Sequence, residues 1–237
     1  MIKQKKQGQL IVISGPSGSG KDTIVGKVLE NNDKIWLSVS ATSRAPRKGE
    51  EEGVNYFYLT REEFEEKIEN NYFLEYAEYA GNYYGTPKEK IVEKLDKGYD
   101  VILVIEIQGA RKIKELIPEA LFIFIMPPSE KELLKRLANR KTEDTDKILE
   151  RFNVAYKEMN EVTKYNYVVV NDKLEDAIEK VESIIKAEKC RVDRIEEVLV
   201  ANKEEIIHEF LMNQEFDNTR TKDKLEEDNE TKTKWLY

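Results

Sequence analysis

The run Gly15-Pro-Ser-Gly-Ser-Gly-Lys-Asp-Thr23 places three glycines in the six positions before a lysine. Glycines let successive backbone N–H groups converge on an anion, and a following helix N-terminus adds favourable partial charge. The chemistry this suits is the binding of a nucleoside triphosphate. Gly15, Pro16, Ser17, Gly18, Ser19 and Gly20 would form the cradle, and Lys21 would reach the β- and γ-phosphates. Asp22 and Thr23 open the helix. A glycine-rich turn that merely joins strand to helix is the plainer reading, and the lysine with its flanking elements weighs against it. The place after the lysine ordinarily holds Ser or Thr, whose hydroxyl binds magnesium; here it is Asp22. A carboxylate beside phosphates is repulsive unless a cation lies between them. Asp22 is therefore expected either to hold Mg²⁺ through its hydration shell or simply to favour the helix start through the dipole.

Two further clusters carry charge in useful patterns. In "SVSATSRAPRKGEEEGVNYFY", Arg44 and Arg47 stand three apart with Pro46 between them, and Tyr56 follows. Guanidinium forks match phosphate oxygens two at a time, and a tyrosine hydroxyl can donate to the same anion. "FLEYAEYAGNYYGTP" adds Glu75, Tyr84 and Thr86 around Gly81 and Gly85. In "LLKRLANRKTEDTDKILERF", Arg136, Arg140 and Arg151 surround a stretch without apolar residues from Asn139 to Lys147. Taken singly, each cluster reads as well as a surface turn, a packed strand or an exposed charged hairpin.

The elements that must position these groups follow from hydropathy. Gln9–Ser14, Tyr99–Ala110, Ala120–Ser129 and Tyr165–Asp172 are short apolar runs, read as buried strands. A helix is expected over Lys21–Asn31 with Ile24, Val25, Val28 and Leu29 inward, and others over Glu130–Asn139, Asp146–Glu161 and Leu174–Lys189. Strands apolar throughout, alternating with helices, predict a three-layer α/β fold with a parallel central sheet covered on both faces. Residues 38–86 break the rhythm and read as a smaller inserted unit. From Cys190 the core pattern fades: residues 191–214 are expected to form an amphipathic helix with Ile195, Leu199, Ile206 and Phe210 on one face. Residues 217–234 are almost without apolar side chains and are expected to be disordered or weakly helical.

Composition narrows the function classes. A formal charge of −8 over 237 residues argues against a general nucleic-acid binder, which needs a basic surface. One cysteine, Cys190, allows no internal disulfide and fits a reducing compartment. The basic start carries an apolar run of only about five residues, too short for a signal peptide or a membrane span. A cytoplasmic protein with no membrane partner is the expectation. The only histidine, His208, lies in the C-terminal extension.

Taken together, "SVSATSRAPRKGE", "FLEYAEYAGNYYGTP", "IEIQGA", "IFIMPPS" and "VVVND" resemble guanylate kinase in order and spacing, over roughly residues 8–187. The resemblance implies a P-loop kinase domain over residues 1–189, with a GMP-binding unit at about 38–86, a helical lid at about 132–160, and an extension at 190–237. It implies that Arg44, Arg47, Tyr56 and Tyr84 hold the GMP phosphate. Glu75 would accept from guanine N1–H and the exocyclic amino group, Ser40 and Thr86 would donate to O6, and Glu106 would add a contact to the amino group. Asn171 would touch the adenine of ATP. Lys21, Arg136, Arg140 and Arg151 would stabilise the transferring phosphoryl. The implied reaction is MgATP + GMP giving ADP + GDP, with dGMP and a homo-oligomer left open. The rival reading is a guanylate-kinase-like module that has lost catalysis and binds phosphorylated peptides; the intact loop and the lid arginines weigh against it. One departure stands out: the family often has an acid two places before Glu106, where this chain has Val104.

Overall fold

The structure is a computed structural model that describes residues 2–4, 7–47, 49–79, 81–138, 145–198 and 207–212. Along the chain the first strands are β1 (Ile2–Gln4), β2 (Leu10–Ser14), β3 (Ile35–Leu37), β4 (Ala41–Thr42) and β5 (Phe57–Tyr58). They are followed by β6 (Phe73–Tyr79), β7 (Asn82–Pro87), β8 (Asp100–Val104), β9 (Leu121–Met126), β10 (Tyr167–Val170) and β11 (Ile195–Val198). The helices are α1 (Lys21–Glu30), α2 (Arg61–Glu69), α3 (Lys88–Asp96), α4 (Ile107–Leu116), α5 (Glu130–Ala138), α6 (Thr145–Met159) and α7 (Leu174–Glu188).

The chain separates into two compact units, residues 5–194 and residues 1–4 with 195–237. In the larger unit a five-stranded sheet runs β10-β9-β2-β8-β3, every pair parallel. Alternation along each strand loads both faces. Ile11, Ile13, Ile102, Ile123 and Ile125 meet Ile24, Val25 and Val28 of α1 and Val181 and Ile185 of α7. Leu10, Val12, Val101, Leu103 and Phe122 meet Ile91 of α3 and Ala110 and Ile113 of α4. The covered parallel sheet expected from the uninterrupted apolar runs is present.

The inserted unit has its own sheet, ordered β5-β4-β7-β6. Helix α2 lies on it through Phe64, which stacks on Phe73 at 4.4 Å and on Tyr83 at 5.2 Å between ring centroids. Thr60 and Glu63 start α2 with a reciprocal capping box. Helices α5 and α6 pack through Leu133, Leu137, Ala155 and Met159.

Two element expectations need correction. The strand read over Tyr99–Ala110 ends at Val104, because Glu106 takes an extended N-cap conformation and Ile107–Ala110 open α4. Ile105 and Ile107 remain buried after the turn, so hydropathy alone ran on through it. Within the smaller unit, Ile195–Val198 is not helical. It forms β11, antiparallel to β1, with Ile2 opposite Val198 and Gln4 opposite Ile195. Residues 207–212 are helical, as expected. The expectations for residues 199–206, 213–214 and 217–234 lie outside the described residues.

Candidate active site

The phosphate loop leaves β2 at Ser14, whose buried hydroxyl donates to the Ile105 carbonyl at 2.8 Å. Gly18 and Gly20 both have φ of +88°, a left-handed backbone that glycine adopts without cost. Gly20 also stands where a Cβ would meet Asn171 Nδ2 at 2.3 Å, and a Cβ on Gly15 would meet the Ile125 carbonyl oxygen at 2.3 Å. Shape as well as φ therefore demands glycine. Asn171, buried at the end of β10, donates from Nδ2 to the Ser19 carbonyl at 2.8 Å and from its amide to Met126 O at 2.7 Å. The loop is thus pinned from the ends of β9 and β10. Lys21 Nζ folds back onto Gly15 O at 3.2 Å. Asp22 and Thr23 are exposed in the first turn of α1.

The second cluster converges around Tyr56. Arg44 sits over the Tyr56 ring at 5.5 Å, and Tyr84 meets that ring edge-on at 6.0 Å. Burial pushes the Tyr56 phenol up to about 12, reinforced by Tyr84, Glu106 and Asp22 and opposed by Arg44. Tyr56 therefore stays a hydrogen-bond donor at any physiological pH. Asp22 of α1 and Glu106 at the start of α4 both act electrostatically on this hydroxyl. Arg44 is held by both oxygens of Glu50 at 3.0 Å. Glu50 also accepts from the Arg47 amide at 2.7 Å and the Tyr58 hydroxyl at 2.9 Å. Arg47 itself is exposed and Ser40 half-buried, with its carbonyl bonded to Phe57 N–H at 2.9 Å.

Glu75 is only 6% exposed and accepts from Thr86 Oγ1 at 2.6 Å. Burial raises its pKa above the ordinary carboxylate range, with the Thr86 bond and the Lys112 charge opposing. Gly109 of α4 makes room for it, since a Cβ there would lie 2.7 Å from Glu75 Oε2.

From α6, Arg151 Nη2 donates to Ser17 Oγ at 2.8 Å. Arg136 donates to Glu132 and to the Asn171 carbonyl, each at 3.1 Å. Arg140 lies outside the described residues. The residues the sequence singled out thus form a phosphate loop with Arg151 upon it, a Tyr56–Arg44–Tyr84 group and a Glu75–Thr86 pair. Arg47 is a surface residue beside them. Sequence reasoning missed Glu50, whose three- and six-residue spacing from the arginines was a usable signal. It quoted Gly109 without giving it a role.

The guanylate kinase family model matches residues 7–188. The chain belongs to the guanylate kinase family. A guanylate kinase of Clostridium tetani is 58% identical over 206 residues, covering 87% of this chain and 99% of its own length. A guanylate kinase of Clostridium acetobutylicum is 56% identical over 204 residues, 86% of this chain and 97% of its own length. The crystal structure of guanylate kinase from Anaplasma phagocytophilum superposes with a TM-score of 0.69 at 36% identity, covering 81% of this chain and 92% of that one. The guanylate kinase family match bears out the resemblance read over residues 8–187, and with it the α/β fold.

Proposed function

We infer that this chain transfers the γ-phosphoryl group of ATP to GMP, giving ADP and GDP. Alongside the family match, the observation that carries the reading is the buried Glu75–Thr86 pair, which shares a domain with an intact phosphate loop. A carboxylate matches the adjacent N1–H and amino donors of guanine, and adenine offers no N1–H. Glu75 must be ionised to accept both, and its raised pKa is the cost of keeping it buried. Arg44, Arg47, Tyr56 and Tyr84 hold the acceptor phosphate in this reading, with Ser40 and Glu106 completing the base contacts. Glu50 pre-orients the Arg44 fork.

Phosphoryl transfer needs positioning and charge stabilisation more than a strong base. Lys21 and the loop amides bind the donor phosphates, and Arg136, Arg140 and Arg151 neutralise developing charge as the lid excludes water. In the structure Arg151 already touches the loop at Ser17. Asn171 braces the loop floor, and in this reading it borders the adenine. Mg²⁺ entering with ATP would supply charge neutralisation and help orient the phosphates. The site fits such an ion: Asp22 is an exposed carboxylate at the loop end of α1, and it acts on the same Tyr56 hydroxyl as Glu106. Among the described residues no cluster of three His, Cys, Asp or Glu side chains could hold a metal. A single aspartate suits magnesium, which keeps several waters.

No helix among the described residues is long and apolar enough to cross a membrane. Purine nucleotide metabolism in the cytoplasm is the setting we propose. The test is ADP release, followed by a coupled assay, with MgATP and GMP together and each alone. Turnover only with both substrates is expected; no turnover with both overturns the reading.

A further inference from the structure

Asn171 follows β10 directly, is only 7% exposed, and has both of its backbone groups engaged. Its N–H donates to Met126 O at 2.7 Å, and its carbonyl accepts from Arg136 Nη2 at 3.1 Å. The side chain is therefore aimed from a fixed base, and Nδ2 donates to the Ser19 carbonyl at 2.8 Å in a buried contact. The fit is close, since a Cβ on Gly20 would lie 2.3 Å from that nitrogen. The family resemblance gives Asn171 a contact with adenine; the residue it grips here belongs to the phosphate loop.

We propose that Asn171 is a positioning residue that sets the direction of the Gly20 amide, and so acts on the nucleotide phosphates without reading the base. The Ser19 carbonyl and the Gly20 N–H belong to one trans peptide plane and point in opposite directions. A carbonyl held toward Asn171 therefore sends the Gly20 N–H away from it. That N–H has no backbone acceptor among the described residues. It stands at the N-cap of α1, where loop amides and the helix dipole meet an anion. The glycine also makes this peptide easy to turn over. Such a turn changes ψ of Ser19 and φ of Gly20, and Gly20, at φ +88°, has no side chain to resist it. The restraint must come from outside the loop, and the Asn171 amide supplies it. Loss of this donor strands the buried Ser19 carbonyl. Rotating the peptide relieves that cost and withdraws the Gly20 N–H from the phosphates.

The test is calorimetric binding of two probes to the full chain without acceptor: MgATP, and inorganic tripolyphosphate with Mg²⁺, which carries the phosphates and no base. Asn171→Leu keeps the branched shape and the charge but removes the donor. It should weaken the Kd for both probes by about 5–150-fold, the effect of stranding one buried carbonyl. The two factors should agree within about twofold. Asn171→Asp keeps the shape and offers an acceptor to the turned-over Gly20 N–H, so it should weaken both probes further than Asn171→Ala. A loss confined to MgATP marks an adenine contact and overturns the proposal. So does Asn171→Asp binding both probes better than Asn171→Ala, the order that a space-filling role gives. If the variants do not fold, the wild-type Asn171 side-chain amide protons decide by NMR. Slow exchange with solvent is expected in both the free and the tripolyphosphate-bound chain, and fast exchange in either overturns the proposal. The inference rests on a triphosphate occupying the loop. Wild-type binding of the probes tests that reading, and the ratio of variant to wild type tests Asn171 separately; a wild-type chain that binds neither probe overturns both.

Discussion

The phosphate loop and the proposed acceptor pocket are built on opposite plans. The loop is one contiguous run whose functional groups are mostly backbone, shaped by glycines that φ and neighbouring atoms both require. The pocket is assembled from side chains on β6, β7 and the segment between β4 and β5, and two of them are held by another side chain: Arg44 by Glu50, Glu75 by Thr86. A backbone cradle can only recognise what all nucleoside triphosphates share. A side-chain pocket can read the identity of a base. Damage to the first should impair transfer whatever the acceptor, and damage to the second should be felt by GMP alone.

Lys21→Ala gives the largest effect. Removing the cation proposed to contact the transferring phosphates should lower kcat by about 10²–10³-fold at saturating substrates; steady-state rates check it, and a loss confined to the KM for GMP would break the division. Glu75→Gln comes next. Placing an amino donor against guanine donors leaves polar groups unpaired at about 1–3 kcal/mol, so kcat/KM for GMP should fall by about 5–150-fold with the KM for ATP unchanged. Because protonation of Glu75 has the same consequence and its pKa is raised, GMP affinity should decline on acidification sooner than an ordinary carboxylate would allow. Gly109→Ala tests the pocket from behind: a Cβ 2.7 Å from Glu75 Oε2 must displace it. The KM for GMP should rise about tenfold by misplacement of one group, and the KM for ATP should stay within about twofold.

The smallest effect concerns Asp22, where the two regions meet. Asp22→Gly should raise the magnesium needed for half-maximal rate by a few-fold, and Val104→Asp in the same chain should restore it. An unchanged requirement in the single variant would mean that Asp22 serves only the start of its helix.

Legibility divides along the same line. Gly15 to Lys21 could be read directly, because a backbone cradle is a local pattern flanked by its own strand and helix. Glu75 could not be singled out from hydropathy or spacing; in a strand rich in Tyr and Glu only the resemblance marked it. Glu50 left only a spacing clue, being one acid among several until folding set it against Arg44. Residues 195–198 failed for a related reason. Their apolar spacing suits a helix, but their partner is β1, far away in sequence, and a non-local pairing leaves no local trace. The end of β8 was misplaced because the buried Ile105 and Ile107 continue its pattern past the turn.

The central claim is that the side-chain pocket around Glu75 selects the acceptor, and comparing kcat/KM for GMP, AMP, UMP and CMP with MgATP tests it most directly. A site built around buried hydrogen bonds can reject a base lacking them by about 10⁴-fold or more, so GMP should exceed each of the other three by about that margin. Comparable values for GMP and any of the others would contradict the account.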